Sequence, residues 1–121
     1  MQLRKGEANK IMDQKELLTG MVMELRRGTI VLCALSKLDT PMYGYNLLSE
    51  LSDCGINVEA NTLYPLLRRL ESQGLLKSEW NTQEAKPRKY YVTTELGKEI
   101  CVQLKAHWLE TTESMKKIIG E

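Results

Sequence analysis

A mainly α-helical fold carrying one small β-hairpin is predicted by three features of the sequence. Leucines recur at three- and four-residue steps through several consecutive segments, the spacing of an amphipathic helix. Two short runs rich in branched and aromatic residues then flank a polar stretch containing Pro87, the pattern of a hairpin. Finally, Cys101, Leu104, Trp108, Thr111, Met115 and Ile118 return to helical spacing in steps of 3, 4, 3, 4 and 3. At 121 residues, with 42% hydrophobic and 27% charged side chains, the chain has the size and composition of one folded domain.

The elements follow in order. Residues 1–12 are polar and aperiodic and predict an arm that becomes helical near residues 15–22. A first full helix is expected over residues 25–37, with Gly28, Val31, Leu32, Leu35 and then Leu38 inward, ended by Asp39, Thr40 and Pro41. A short second helix over residues 43–51 places Leu47, Leu48 and Leu51 on one face and stops before Cys54 and Gly55. The third carries Leu63, Leu66, Leu67 and Leu70, a continuous apolar stripe. Because a proline deep in a helix costs about 3 kcal/mol, Pro65 puts the start of this helix near Asn61 or Thr62, either of which could cap it, and Gly74 supplies its end. Strands are expected over residues 75–80 and 89–93, with Tyr90 and Tyr91 on opposite faces and Trp80 packed at a strand end or in the core. Thr94 then caps a helix running to about Ile119.

Several classes of function are disfavoured. The longest apolar run, residues 30–35, is far below the roughly 20 residues that span a bilayer, and the N-terminal residues lack the apolar core of a secretory signal, so a cytoplasmic protein is expected. Cys33, Cys54 and Cys101 are odd in number and form no CxxC pair, which predicts reduced thiols. His107 is the only histidine, so neither a metal site nor any other cofactor is expected. No glycine-rich phosphate loop, nucleophile elbow or paired carboxylates occur, which argues against an enzyme.

Charge is distributed unevenly beneath a formal net of +1. Residues 38–60 hold four carboxylates and no Lys or Arg, whereas residues 1–37 and 61–94 are both net basic. Helix, helix, helix, hairpin is the element order of a winged helix-turn-helix, whose third helix enters the major groove while the hairpin loop flanks it. Opposite its leucines, the third helix offers Asn61, Thr62, Tyr64, Arg68 and Arg69, all able to hydrogen bond to phosphates or base edges. Lys86, Arg88 and Lys89 put three cations into the wing, a suitable contact for a sugar-phosphate backbone.

These residues also carry a family resemblance. Met42-Tyr43-Gly44-Tyr45, the run from Asn61 to Glu71 (NTLYPLLRRLE), Gly74-Leu75-Leu76, Pro87-Arg88-Lys89-Tyr90-Tyr91 and Thr94-Glu95-Leu96-Gly97 together resemble the signature of PadR-like transcriptional regulators, in the short branch with a single C-terminal helix. The resemblance implies a winged helix-turn-helix with a C-terminal dimerisation helix, acting as a homodimeric repressor released by a small-molecule or stress signal. It places Asn61, Thr62, Tyr64 and Arg68 at the DNA-facing start of the recognition helix and Lys86, Arg88 and Lys89 in the wing, where Glu84, Ala85 and Lys86 stand in place of the glycines frequent in relatives. Trp108 matches a tryptophan that in multidrug-binding relatives lines a flat aromatic ligand site, and Leu104 and Met115 would share that pocket or the dimer interface.

The resulting expectation assigns residues 1–24 to an N-terminal arm contributing to dimer contact, residues 25–94 to DNA binding, and residues 95–121 to dimerisation. The partners expected are a pseudo-palindromic double-stranded DNA operator, a second copy of the chain, and a small aromatic or hydrophobic effector, with no membrane. The alternative is a winged-helix module that uses the same fold for protein partners, to which the acidic 38–60 segment would lend itself.

Overall fold

The computed structural model describes residues 13–83 and 85–120. Its elements are α1 (Gln14–Lys37), β1 (Met42–Tyr43), α2 (Gly44–Asp53), α3 (Ala60–Ser72), β2 (Leu76–Asn81), β3 (Arg88–Thr93) and α4 (Glu95–Ile119). Two units divide the chain within α1, after Ile30. The described part of the first unit is helical from Gln14 onward and keeps Leu17, Leu18, Met21, Met23 and Leu25 exposed. The arm expected over residues 1–12 lies outside the described residues. Where the sequence suggests a helical stretch near residues 15–22 and a separate helix from residue 25, α1 is one element, because no proline or capping residue interrupts residues 22–25 and an exposed glycine at position 28 costs a helix only about 1 kcal/mol.

The second unit begins with the last turns of α1 and holds the core. Ala34, Leu35 and Leu38 are buried there with Leu47, Leu51, Leu63, Leu66, Leu67, Leu70 and Leu76. The inward face of α1 thus differs from that expected: Val31, Leu32 and, on α2, Leu48 are half-buried, and Gly28 is exposed. Periodicity gives a helix its apolar side but fixes the centre of that side only to within a residue or so, and tertiary contacts decide it.

Three strands form an antiparallel sheet in the order β1-β3-β2. β2 and β3 are the expected hairpin, in the register Leu76↔Thr93, Ser78↔Tyr91 and Trp80↔Lys89. The third strand is two residues long, pairing Met42 with Tyr91 and Tyr43 with Tyr90, and so short an element leaves no period-two pattern to find. It is nevertheless the seam through which α2 meets the hairpin, since Tyr43 is also the N-cap residue of α2.

Thr93 ties the sheet to the end of α1: its N–H donates to the carbonyl of Leu38, one residue past the helix, at 2.7 Å and its buried hydroxyl to the Leu35 carbonyl at 2.9 Å. The next residue opens α4 as expected, the Thr94 hydroxyl accepting from the Gly97 N–H at 3.0 Å while donating to the Gly74 carbonyl at 2.7 Å. Gly74 itself has φ +80°, the left-handed turn that lets the chain leave α3 and enter β2. Among the described residues no helix is long and apolar enough to cross a membrane, and no group of three or more His, Cys, Asp or Glu could hold a metal ion.

Candidate nucleic-acid interface

Four buried leucines, Leu63, Leu66, Leu67 and Leu70, fix which side of α3 faces outward. That side exposes Asn61, Pro65, Arg68 and Arg69, with Thr62 half-buried at its margin. The helix starts one residue earlier than Asn61. Glu59 occupies the N-cap position with no side-chain cap bond, and its carbonyl accepts from the Thr62 and Leu63 N–H groups at 3.0 and 2.9 Å. Neither Asn61 nor Thr62 therefore acts as the cap; both lie in the first turn, where their side chains are available outside the helix. Pro65 lies inside α3 rather than at its edge, but it is exposed and still near the N-terminus, where a missing N–H removes only the bond to Asn61.

Tyr64 is half-buried, and its ring lies so close to Gly44 that any side chain at position 44 would collide with the ring edge. This explains the glycine between the two tyrosines of the segment at residues 43–45: the Tyr64 ring of α3 takes the space that a Cβ on α2 would need. Tyr45, one residue on, is 72% exposed at the start of α2. The sequence motif contained Tyr45, but nothing in its spacing distinguished a solvent-facing tyrosine from a packed one.

In the wing the three cations sit differently. Lys86 is exposed in the loop between the strands. Arg88, exposed at the start of β3, places its guanidinium 5.5 Å from the centroid of the Tyr43 ring. Tyr43 in turn accepts a hydrogen bond from Asn81 at 2.8 Å and meets Tyr90 edge-on at 6.1 Å, so a residue given no site role by the sequence organises the base of the wing. Lys89 points at α3, its ammonium 3.5 Å from the Glu71 carboxylate and above the rings of Tyr91 and Trp80 at 5.4 and 6.0 Å. Trp80 is 62% exposed, so it belongs to this surface and not to the core. On the other sheet face the Tyr90 hydroxyl donates to Glu79 at 3.0 Å, and this bond to a carboxylate raises the phenol pKa above its usual value.

On α4 the seam positions Leu104 and Cys101 are half-buried, while Trp108, Thr111, Met115 and Ile118 are exposed together with Leu109 and Ile119. Cys101 Sγ lies 3.4 Å from Ser36 Oγ of α1. His107 is an exposed helix residue with its Nδ1 3.4 Å from Glu110. All three cysteines are free thiols.

Three helices, a β-hairpin and a short strand closing the sheet make this a winged-helix protein. Residues 31–103 match the family described as "Transcriptional regulator PadR-like family". A PadR family transcriptional regulator from Eggerthella lenta is 50% identical and superposes with a TM-score of 0.82 over 90% of this chain and 97% of that one. A transcriptional regulator from Clostridium thermocellum is 29% identical, with a TM-score of 0.74 over 79% of this chain and 98% of that one. In sequence, transcriptional regulator Rv3488 of Mycobacterium tuberculosis is 42% identical over 60 residues, which is 50% of this chain and 56% of that relative. The chain belongs to the PadR-like family of transcriptional regulators.

Proposed function

We propose that this transcriptional regulator binds double-stranded DNA as a homodimer and represses transcription until a small molecule or stress signal releases it. The observation that carries the DNA contact is the outward side of α3, where Asn61, Arg68 and Arg69 are exposed beside Thr62. A helix so held can enter a major groove with donors toward base edges and cations toward phosphates. Lys86 and Arg88 of the wing and the hydroxyl of Tyr45 extend the same contact to the backbone. Residues 25–94 supply this DNA-binding part.

Dimerisation follows from what α4 leaves uncovered. Trp108, Leu109, Met115, Ile118 and Ile119 are all exposed on one chain, a loss of roughly 1.5–3 kcal/mol for each large side chain that could be buried. A second copy offering the same row satisfies both, as a two-fold interface requires. Residues 95–121 thus serve as the dimerisation helix, and within residues 1–24 the exposed Leu17, Leu18, Met21 and Leu25 give α1 apolar side chains of its own for dimer contact. Leu104, Trp108 and Met115 are the residues an aromatic or hydrophobic effector would meet between the two C-terminal helices. Two recognition helices presented by one dimer call for half-sites about one helical turn, roughly 34–36 Å, apart.

The test is binding to duplexes enriched by the purified protein from a random pool, measured across a salt series. Repressor binding requires affinity to fall steeply with ionic strength, and Arg68→Ala to weaken the enriched sequence more than a scrambled one. Failure to enrich any duplex sinks the reading, as does a monomer in sedimentation at micromolar concentration.

A further inference from the structure

The inner face of the wing carries a polar clasp that neither the family assignment nor the DNA contact accounts for. Glu71 is the penultimate residue of α3 and is half-buried. One of its carboxylate oxygens accepts from Ser78 Oγ of β2 at 2.5 Å, and the other faces Lys89 Nζ of β3 at 3.5 Å. Ser78 pairs with Tyr91 and Lys89 with Trp80 in the ladder, so all four side chains stand on one sheet face. Below them on that face Leu76 and Thr93 are buried, and above them the strands run out toward the loop that holds Lys86. A single carboxylate therefore grips both strands at the last level before the wing leaves the core.

The surroundings of Lys89 fit that role. Its side chain and that of Glu71 are each about one-third exposed, at 30% and 33%. The ammonium has the carboxylate on one side and two aromatic rings, Tyr91 and Trp80, within 6.0 Å. Carboxylate and ring faces both attract a cation, and together they hold this one against the protein.

Resting on the DNA-binding reading, we propose that Glu71 is a positioning residue. It locks the wing to the C-terminal end of the recognition helix through Ser78 and Lys89, so that helix and wing meet one duplex at a fixed angle. Lys89 belongs to the clasp, and phosphate contact from the wing loop falls to Lys86. The two substitutions at these ends have opposite consequences. Removing Lys89 takes away a cation that DNA does not use, whereas neutralising Glu71 frees that cation for phosphate.

The experiment measures the salt dependence of binding to a duplex enriched by the wild-type protein, alongside amide hydrogen exchange of the free protein. Lys86→Ala is expected to lower the slope of log affinity against log salt by about one per protomer, and Lys89→Ala to leave it unchanged. Glu71→Gln keeps an acceptor for Ser78 but loses the ion pair; it is expected to raise the slope by up to about one per protomer and to speed exchange in β2 and β3 beyond the Ser78–Tyr91 pair. Ser78→Ala is a milder break of the same clasp and is expected to speed exchange without changing the slope. The proposal is overturned if Lys89→Ala lowers the slope as Lys86→Ala does, or if Glu71→Gln changes neither slope nor exchange. Should the wild-type protein enrich no duplex, the DNA reading fails, while exchange in Glu71→Gln and Ser78→Ala still decides whether the clasp holds the wing.

Discussion

Replacing Gly97 by alanine should destabilise the protein although alanine is the better helix former. Gly97 is buried in the first turn of α4, and a methyl group there would lie 2.6 Å from Thr93 Cγ2 and closer still to the Leu75 carbonyl oxygen. Ordinary carbon–carbon contacts are about 3.5–4.0 Å, so roughly 1 Å of separation has to be found. Neither neighbour can supply it. The Leu75 carbonyl accepts from the Thr94 N–H at 3.1 Å, and Thr93 is held by its N–H to Leu38 and by its hydroxyl to Leu35 of α1. The first turn of α4 must lift instead, which strains the two Thr94 hydroxyl bonds, each worth about 1 kcal/mol. Overpacking of this kind costs about 1–3 kcal/mol, against a helix-propensity gain of about 1 kcal/mol, for a net loss of roughly 2 kcal/mol once the cap is included. Urea unfolding followed by far-UV circular dichroism, at one fixed chain concentration because oligomerisation shifts apparent stability, reads this directly. A Gly97→Ala protein as stable as the parent would mean that α4 does not sit against the Leu75 carbonyl as described.

Gly44→Ala tests the other close approach. The methyl meets the edge of the Tyr64 ring, which can swing where a carbonyl cannot, so a loss of about 1 kcal/mol is expected, and in a Tyr64→Ala background the same change should cost close to nothing. Equal costs in both backgrounds would remove Tyr64 as the reason for the glycine. The Tyr90 phenol, raised by its bond to the Glu79 carboxylate, should titrate above the ordinary tyrosine range in a spectrophotometric titration and return toward it in Glu79→Gln. Because the folded state holds the neutral phenol, the stability this bond contributes is present below about pH 10 and is lost as pH rises through the raised value. Burial, then the neighbouring Cys54, pushes the Cys33 thiol up, with Lys37 pulling the other way. Under native conditions alkylation read by mass spectrometry should therefore label the exposed Cys54 well before Cys33, and denaturant should abolish the difference.

Most of the helical frame was legible because its signals are local. The α3 stripe needs only the spacing of Leu63, Leu66, Leu67 and Leu70, and the start of α4 only a threonine followed by an acidic residue. What escaped depends on residues far apart in sequence. β1 exists because Met42 and Tyr43 lie beside Tyr91 and Tyr90, nearly fifty residues on, and no local pattern marks two residues as a strand. The start of α3 slipped for a related reason: Glu59 is a poor side-chain cap, yet its carbonyl closes the first turn, and cap preferences say nothing about that.

The wing shows where reading charges from a sequence stops. Lys86, Arg88 and Lys89 fall within four positions and look equivalent as a cationic cluster, but strand alternation turns Arg88 and Lys89 to opposite faces, and the register then decides what each one meets. Lys89 falls on the face with Ser78, Trp80 and Tyr91 and finds the end of α3 beneath it. Arg88 falls on the other and finds Tyr43, a residue brought there by β1. Because register is set by the whole hairpin and by the strand that the sequence did not reveal, the count of cations was legible while the partner each one meets was not. The same argument covers Glu71, which in sequence is one more acidic residue at the end of a helix and acquires a partner on each strand only when β2 and β3 are laid across it.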